Sequence, residues 1–173
     1  MRLAASILSI AAILASPPAL AQLWIDYVNP EYRFAVNFPV EPEEVDIAYR
    51  GADSANLPAR SFTAEQGTSF YRVTVVLFSD GAADGLNEIE HAAQTLRARG
   101  EAIYDRLSEY DGVPAHELSL IGRGGRQTLA TILFHDGRLF IAEGNVDADA
   151  FPPVQFQQSI YVIDADGVPI NLR

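Results

Sequence analysis

The side chains of this chain that could move a proton near neutral pH without help are three histidines, His91, His116 and His135. His91 follows Glu88 at a Glu-x-x-His spacing. On a helix that spacing puts both on one face, where they could offer two ligands to a metal or act as an acid and a base. A metal site needs a third ligand, and the alternative is a solvated polar face opposite Leu86 and Ile89. His116-Glu117 falls in a stretch that alternates as a strand, where neighbouring side chains point to opposite faces and cannot share one ion. His135-Asp136 borders a turn, and turn formation accounts for the aspartate. Nucleophilic catalysis has little to work with, since the chain has no cysteine and sets no serine in a Gly-x-Ser-x-Gly elbow.

Gly122-Arg123-Gly124-Gly125-Arg126 shares with a phosphate loop only its glycines: no Lys-Ser/Thr follows, and the next segment is a strand where a helix should open. It reads as a β-turn with two exposed arginines, Arg123 and Arg126, open to an anion or an acidic partner. Asp147-Ala148-Asp149 and Asp164-Ala165-Asp166-Gly167 look like pieces of calcium loops that lack the closing glutamate. Capping and turn formation account for both. Trp24 and Tyr27 either pack on the domain edge or form an aromatic anchor for a partner. The sequence thus assigns no catalytic, cofactor or metal residue, and its candidate partner contacts are Trp24, Tyr27, Arg123 and Arg126.

Positioning these residues is the task of a mainly antiparallel sheet. Phe34, Val36 and Phe38 alternate with polar or small residues up to Pro39, and Val45, Ile47 and Tyr49 alternate after a Pro- and Glu-rich turn. These two segments are expected to pair as antiparallel strands. Residues 61–66 and 70–78 flank Gly67-Thr68 as a hairpin, and from Val73 to Phe78 the second is apolar on both faces apart from Thr74, as a strand inside a sheet should be. Leu86, Ile89, Ala93 and Leu96 then repeat at helical spacing, with Asp84 placed to cap the start, Arg97 and Arg99 in the last turn and Gly100 to end it. Strands follow over 103–109, 115–121, 127–135 and 138–143, joined by Asp111-Gly112, Gly124-Gly125 and Asp136-Gly137 turns. Asp149 is expected to cap a closing helix with Pro152-Pro153 in its first turn and Phe156, Ile160 and Ile163 on one face. The tail from Asp164 is expected to be loosely attached. Hairpins with one helix between them and one after them make the class α+β.

Residues 1–21 read as a signal peptide: Arg2 precedes an apolar run from Leu3 to Leu14, and Ala19-Leu20-Ala21 is a small-x-small cleavage site. That run is too short to cross a bilayer, and the later apolar runs near Val73 and Leu129 are short and flanked by polar turns, so no membrane span is expected after cleavage before Gln22. The destination is the periplasm or the medium. Residues 22–173 suffice for a single domain with one core. A net charge of -11, with every cation an arginine, argues against nucleic acid as a partner and is compatible with a protein or envelope component.

Tyr27-Val28-Asn29-Pro30-Glu31-Tyr32-Arg33-Phe34-Ala35-Val36-Asn37-Phe38-Pro39 resembles the opening of PsbP-like domains, in which an aromatic lead passes through a proline turn into Phe-x-Val-x-Phe-Pro. Asp111-Gly112-Val113-Pro114-Ala115 resembles that family's turn into its second set of strands, and residues 151–160 its closing helix. The resemblance implies an α/β/α sandwich, with a mainly antiparallel sheet flanked by helices. It also implies a non-catalytic role in binding or assembly, with no catalytic motif belonging to the fold. The alternatives are a metal-dependent or acid/base enzyme using Glu88 and His91, or a small-molecule carrier with an apolar cavity under the helix.

Overall fold

A computed structural model describes residues 24–79 and 83–172. The signal peptide expected over residues 1–21 lies outside them. In chain order the elements are β1 (Ile25–Asn29), β2 (Phe34–Phe38), β3 (Glu43–Arg50), β4 (Asn56–Gln66), β5 (Ser69–Leu77), α1 (Gly85–Arg97), β6 (Gly100–Tyr110), β7 (Val113–Gly122), β8 (Gln127–His135), β9 (Arg138–Val146), α2 (Val154–Ser159) and β10 (Tyr161–Val162). Seven strands form one antiparallel sheet in the order β3-β4-β5-β9-β8-β7-β6, and three form a second in the order β1-β2-β10.

Local turn chemistry sets the hairpins. Asp111 and Gly112 have φ of 51° and 88°, and Asp136 and Gly137 have 47° and 67°. Two successive positive φ values match the twist of the flanking strands, so each pair closes its hairpin in two residues. Asp84 caps α1 as its spacing predicts, accepting from the backbone N–H of Leu86 and Asn87. Gly100 has a different role from the helix stop expected of it. The cap residue Ala98 is right-handed, and a Cβ on Gly100 would lie 2.5 Å from the Ile121 carbonyl oxygen. Glycine is needed there because the first residue of β6 runs against β7.

The inner strands of the large sheet carry buried residues on both faces. On one side Ile89, Ala92, Ala93 and Leu96 of α1 pack on Leu118, Leu120, Ala130, Ile132 and Leu139. Leu86 lies outside this contact at 61 % exposure, and Glu88 takes a buried place on the inner face. On the other side Phe34 and Phe38 of β2, with Phe156 of α2, pack toward Phe62 and Phe140 of the large sheet. The Phe34 and Phe62 rings meet edge to face, 4.9 Å between centroids. The second covering layer is therefore mostly strand, with six helical residues in α2, where a helical layer was expected. The α+β class and the antiparallel sheet stand.

Three further expectations are corrected. β2 pairs with β1 and β10, and β3 pairs with β4. Between Pro39 and Pro42 the chain passes from the small sheet to the edge of the large one, because both faces of β2 carry residues that must be buried, Ala35 as well as Phe34. Ile160 and Ile163 flank β10 beyond the end of α2, and the cap of α2 is Pro153, with no side-chain bond from Asp149. The tail is held: the N–H of Ile170 donates to the Val162 carbonyl at 3.0 Å and that of Leu172 to the Asp111 carbonyl at 2.8 Å.

Phe62 joins the two sheets through ring contacts with Tyr27, Tyr32 and Phe34. Phe62→Ala should lower unfolding free energy by about 3–5 kcal/mol, the usual cost of deleting a buried phenyl ring. Urea denaturation would show it, and an unshifted midpoint would contradict the layer assignment.

Candidate functional site

The Glu88–His91 pair on α1 is occupied by the fold. Both Glu88 carboxylate oxygens accept from the Ala52 N–H, at 3.3 and 3.1 Å, and Glu88 is buried. His91 Nε2 is 3.0 Å from the Arg50 carbonyl oxygen and donates to it. The shared face thus holds down the β3–β4 connection, and the solvated polar face expected for it is absent. His116 and Glu117 do diverge as strand alternation requires. Glu117 accepts from the hydroxyls of Tyr104 and Tyr110 on one face, while His116 is buried on the α1 face. Among the described residues, no group of three or more His, Asp or Glu gathers in a way that could hold a metal ion.

The four partner-contact candidates separate. Trp24 packs edge to face on Tyr71, and Tyr27 lies against Phe34, Phe38 and Phe62 with its hydroxyl donating to Glu44 at 2.7 Å. Burial, then the bond to Glu44, pushes the Tyr27 hydroxyl up to about 12. Arg126 ties the Gly67-Thr68 turn to the end of β9: it donates to Asn145 Oδ1 at 2.6 Å and the Thr68 carbonyl at 2.8 Å, and pairs with Asp147. Arg123 is exposed on the short 3₁₀ turn Arg123–Gly125, where Gly124 has φ 68°.

Beside Arg123 and Arg126 lies a cleft whose key residues sequence reading did not single out. Glu143 of β9 is 5 % exposed, and its two carboxylate oxygens accept from Arg72 Nη1 at 3.3 Å and Arg99 Nη1 at 2.7 Å. A buried carboxylate requires such neutralisation. Arg72 and Glu143 are register partners across β5 and β9, so one pleat face brings them together. Arg99 comes from just beyond α1, whose end sets the guanidinium over the same carboxylate. The signal for this pair was visible as single charges inside the apolar runs of β5 and β9, but pairing them needed the register.

The cleft has two parts. A recess of about 160 Å³ lies between the side of α1 and the uncovered part of the sheet, lined by Ile47, Tyr49, Arg72, Leu96, Arg99 and Ile141 among others. It adjoins a broader groove of about 460 Å³ lined by Arg99, Arg123, Arg126, Glu143 and Asn145. Four of the twelve arginines thus stand around one cleft in a chain of net charge -11. Such a clustering focuses positive potential where anionic groups can approach.

A second charged network staples α1 to the β6 edge. Arg97 bonds Glu90 at 2.8 Å and Asp105 at 2.5 Å, and Asp105 Oδ1 lies 2.5 Å from His116 Nε2. His116 Nδ1 is buried without a hydrogen-bond partner.

No family model and no curated sequence matches this chain. Among solved structures it is similar to the solution structure of cyanobacterial PsbP (CyanoP) from Synechocystis sp. PCC 6803. The TM-score is 0.54 at 16 % identity, and the match covers 86 % of this chain and 98 % of that one. The fold is PsbP-like. Among the described residues no helix is long and apolar enough to cross a membrane.

The hydrogen bond from Arg97 holds the Asp105 carboxyl at about 2, below its ordinary value. Because the folded value lies below the unfolded one of about 3.9, this contribution to stability is present above that pH and is lost as pH falls toward about 2. Asp105→Asn should therefore flatten the acid limb of the stability curve over that window. Identical acid limbs for the variant and the unaltered chain in urea titrations would show that Asp105 is not linked to folding.

Proposed function

We propose that this chain is an exported, non-catalytic accessory module of the cell envelope that holds an acidic segment of a protein partner in its arginine-lined groove. The observation that carries the reading is the clustering of Arg72, Arg99, Arg123 and Arg126 around one cleft of an otherwise strongly acidic molecule. Arg126 is spent on the fold and Arg72 is shared with Glu143, but Arg123 stands exposed on a turn and Arg99 is 51 % exposed. Their surplus donors suit carboxylates of a partner. The PsbP-like fold supports an accessory role, and the leader at residues 1–21 supports export to the periplasm or beyond. Glu88, His91 and His116 are occupied by structural hydrogen bonds, which weighs against an acid–base or metal-dependent enzyme built on them.

The test uses the chain recovered from the periplasmic fraction, expected to begin at Gln22, and a fluorescent hexaglutamate peptide as probe. Binding should weaken as salt rises, because exposed ion pairs are screened. Arg123→Ala should weaken it by up to about fivefold while leaving the melting temperature unchanged, in keeping with an exposed ion pair worth up to about 1 kcal/mol. Absence of binding, salt-independent binding, or equal affinity in the variant would contradict the groove assignment. A chain that still carries Met1 would contradict export.

A further inference from the structure

We propose that the recess between Tyr49 and Arg99 binds a carboxylate carried on a small apolar body, from either a free organic acid or the C-terminal residue of a polypeptide. Its volume of about 160 Å³ is close to the ~150 Å³ that accommodates one benzene ring. Ile47, Leu96 and Ile141 supply carbon surface, and Arg72 and Arg99 supply N–H donors at the same place.

The free donors select the chemistry. Glu143 takes one nitrogen from each arginine, and Arg72 gives its Nε to Thr63, so each guanidinium keeps further donors for a second anion. Arg99, half in solvent, stands at the wall of the recess. A carboxylate entering past it accepts from Arg99 and Arg72 while its apolar body rests on Leu96 and Ile141. A neutral apolar molecule would leave these donors unused. An inorganic anion would leave the carbon surface wet.

The site deepens the reading above where the ligand is a chain terminus arriving along the groove, and stands without it where the ligand is a free acid. Benzoate, N-acetylphenylalanine and benzamide are titrated into the ¹⁵N-labelled exported chain and followed by NMR. Both acids should give saturable shifts at Thr74, Leu96 and Ile141, with benzamide at least about tenfold weaker, since hydrogen bonds to a charged group are the stronger ones. Tighter binding of benzoate identifies a free acid as the source, and tighter binding of N-acetylphenylalanine identifies a chain terminus. No saturable shift, or equal binding of benzamide, would overturn the proposal. Hexaglutamate binding that survives any of these failures would leave the groove reading intact, and acid binding without hexaglutamate binding would leave the recess alone.

Discussion

A helix of thirteen residues is about 20 Å long, and seven strands spaced about 4.8 Å apart make a sheet about 29 Å wide. One such helix cannot cover one face of this sheet. α1 lies against β6, β7, β8 and β9, about four strands' width, and β3, β4 and β5 extend beyond it. Beyond α1 this face turns more polar: it carries the part-exposed Thr63 and Arg72 and the buried Ser61 and Thr74 among its apolar residues. The cleft is the step between the covered and uncovered halves. It owes its existence to the shortness of the helix, and its charge to what the sheet presents there.

Glu143 stands at that step. A carboxylate on an inner strand is tolerable only with cations at both oxygens, and they come from an adjoining strand and from the chain just past α1. Arg99 therefore links the end of the helix to the centre of the sheet. The same ion triad carries a surplus positive charge into the recess. Stability and the proposed recognition draw on one set of side chains, the arginines gathered at one cleft of a molecule that is otherwise acidic.

The legible part of the fold was the part written in local chemistry. Asp111-Gly112 and Asp136-Gly137 announce their hairpins because positive φ at two successive positions is a property of those residues. Asp84 announces α1 for a similar reason. Pairing over long range was not legible: β2 alternates as well as any strand, yet alternation cannot say that its partners are β1 and a two-residue strand near the C-terminus. The same holds for the site. Arg123 and Arg126 could be placed on a glycine turn, but the spending of Arg126 on Asn145 and Asp147 depends on how β8 and β9 align. Arg72 and Glu143 are 71 residues apart, and only the register shows that they form the floor of a cleft.

Mapping amide shifts on the chain while hexaglutamate is added tests most directly whether the step beyond α1 is the recognition surface. The account predicts shifts concentrated at Arg99, the Gly122–Arg126 turn and the facing residues Phe70 and Asn145. Shifts confined to the β6 edge or to the β1–β2–β10 sheet would contradict it.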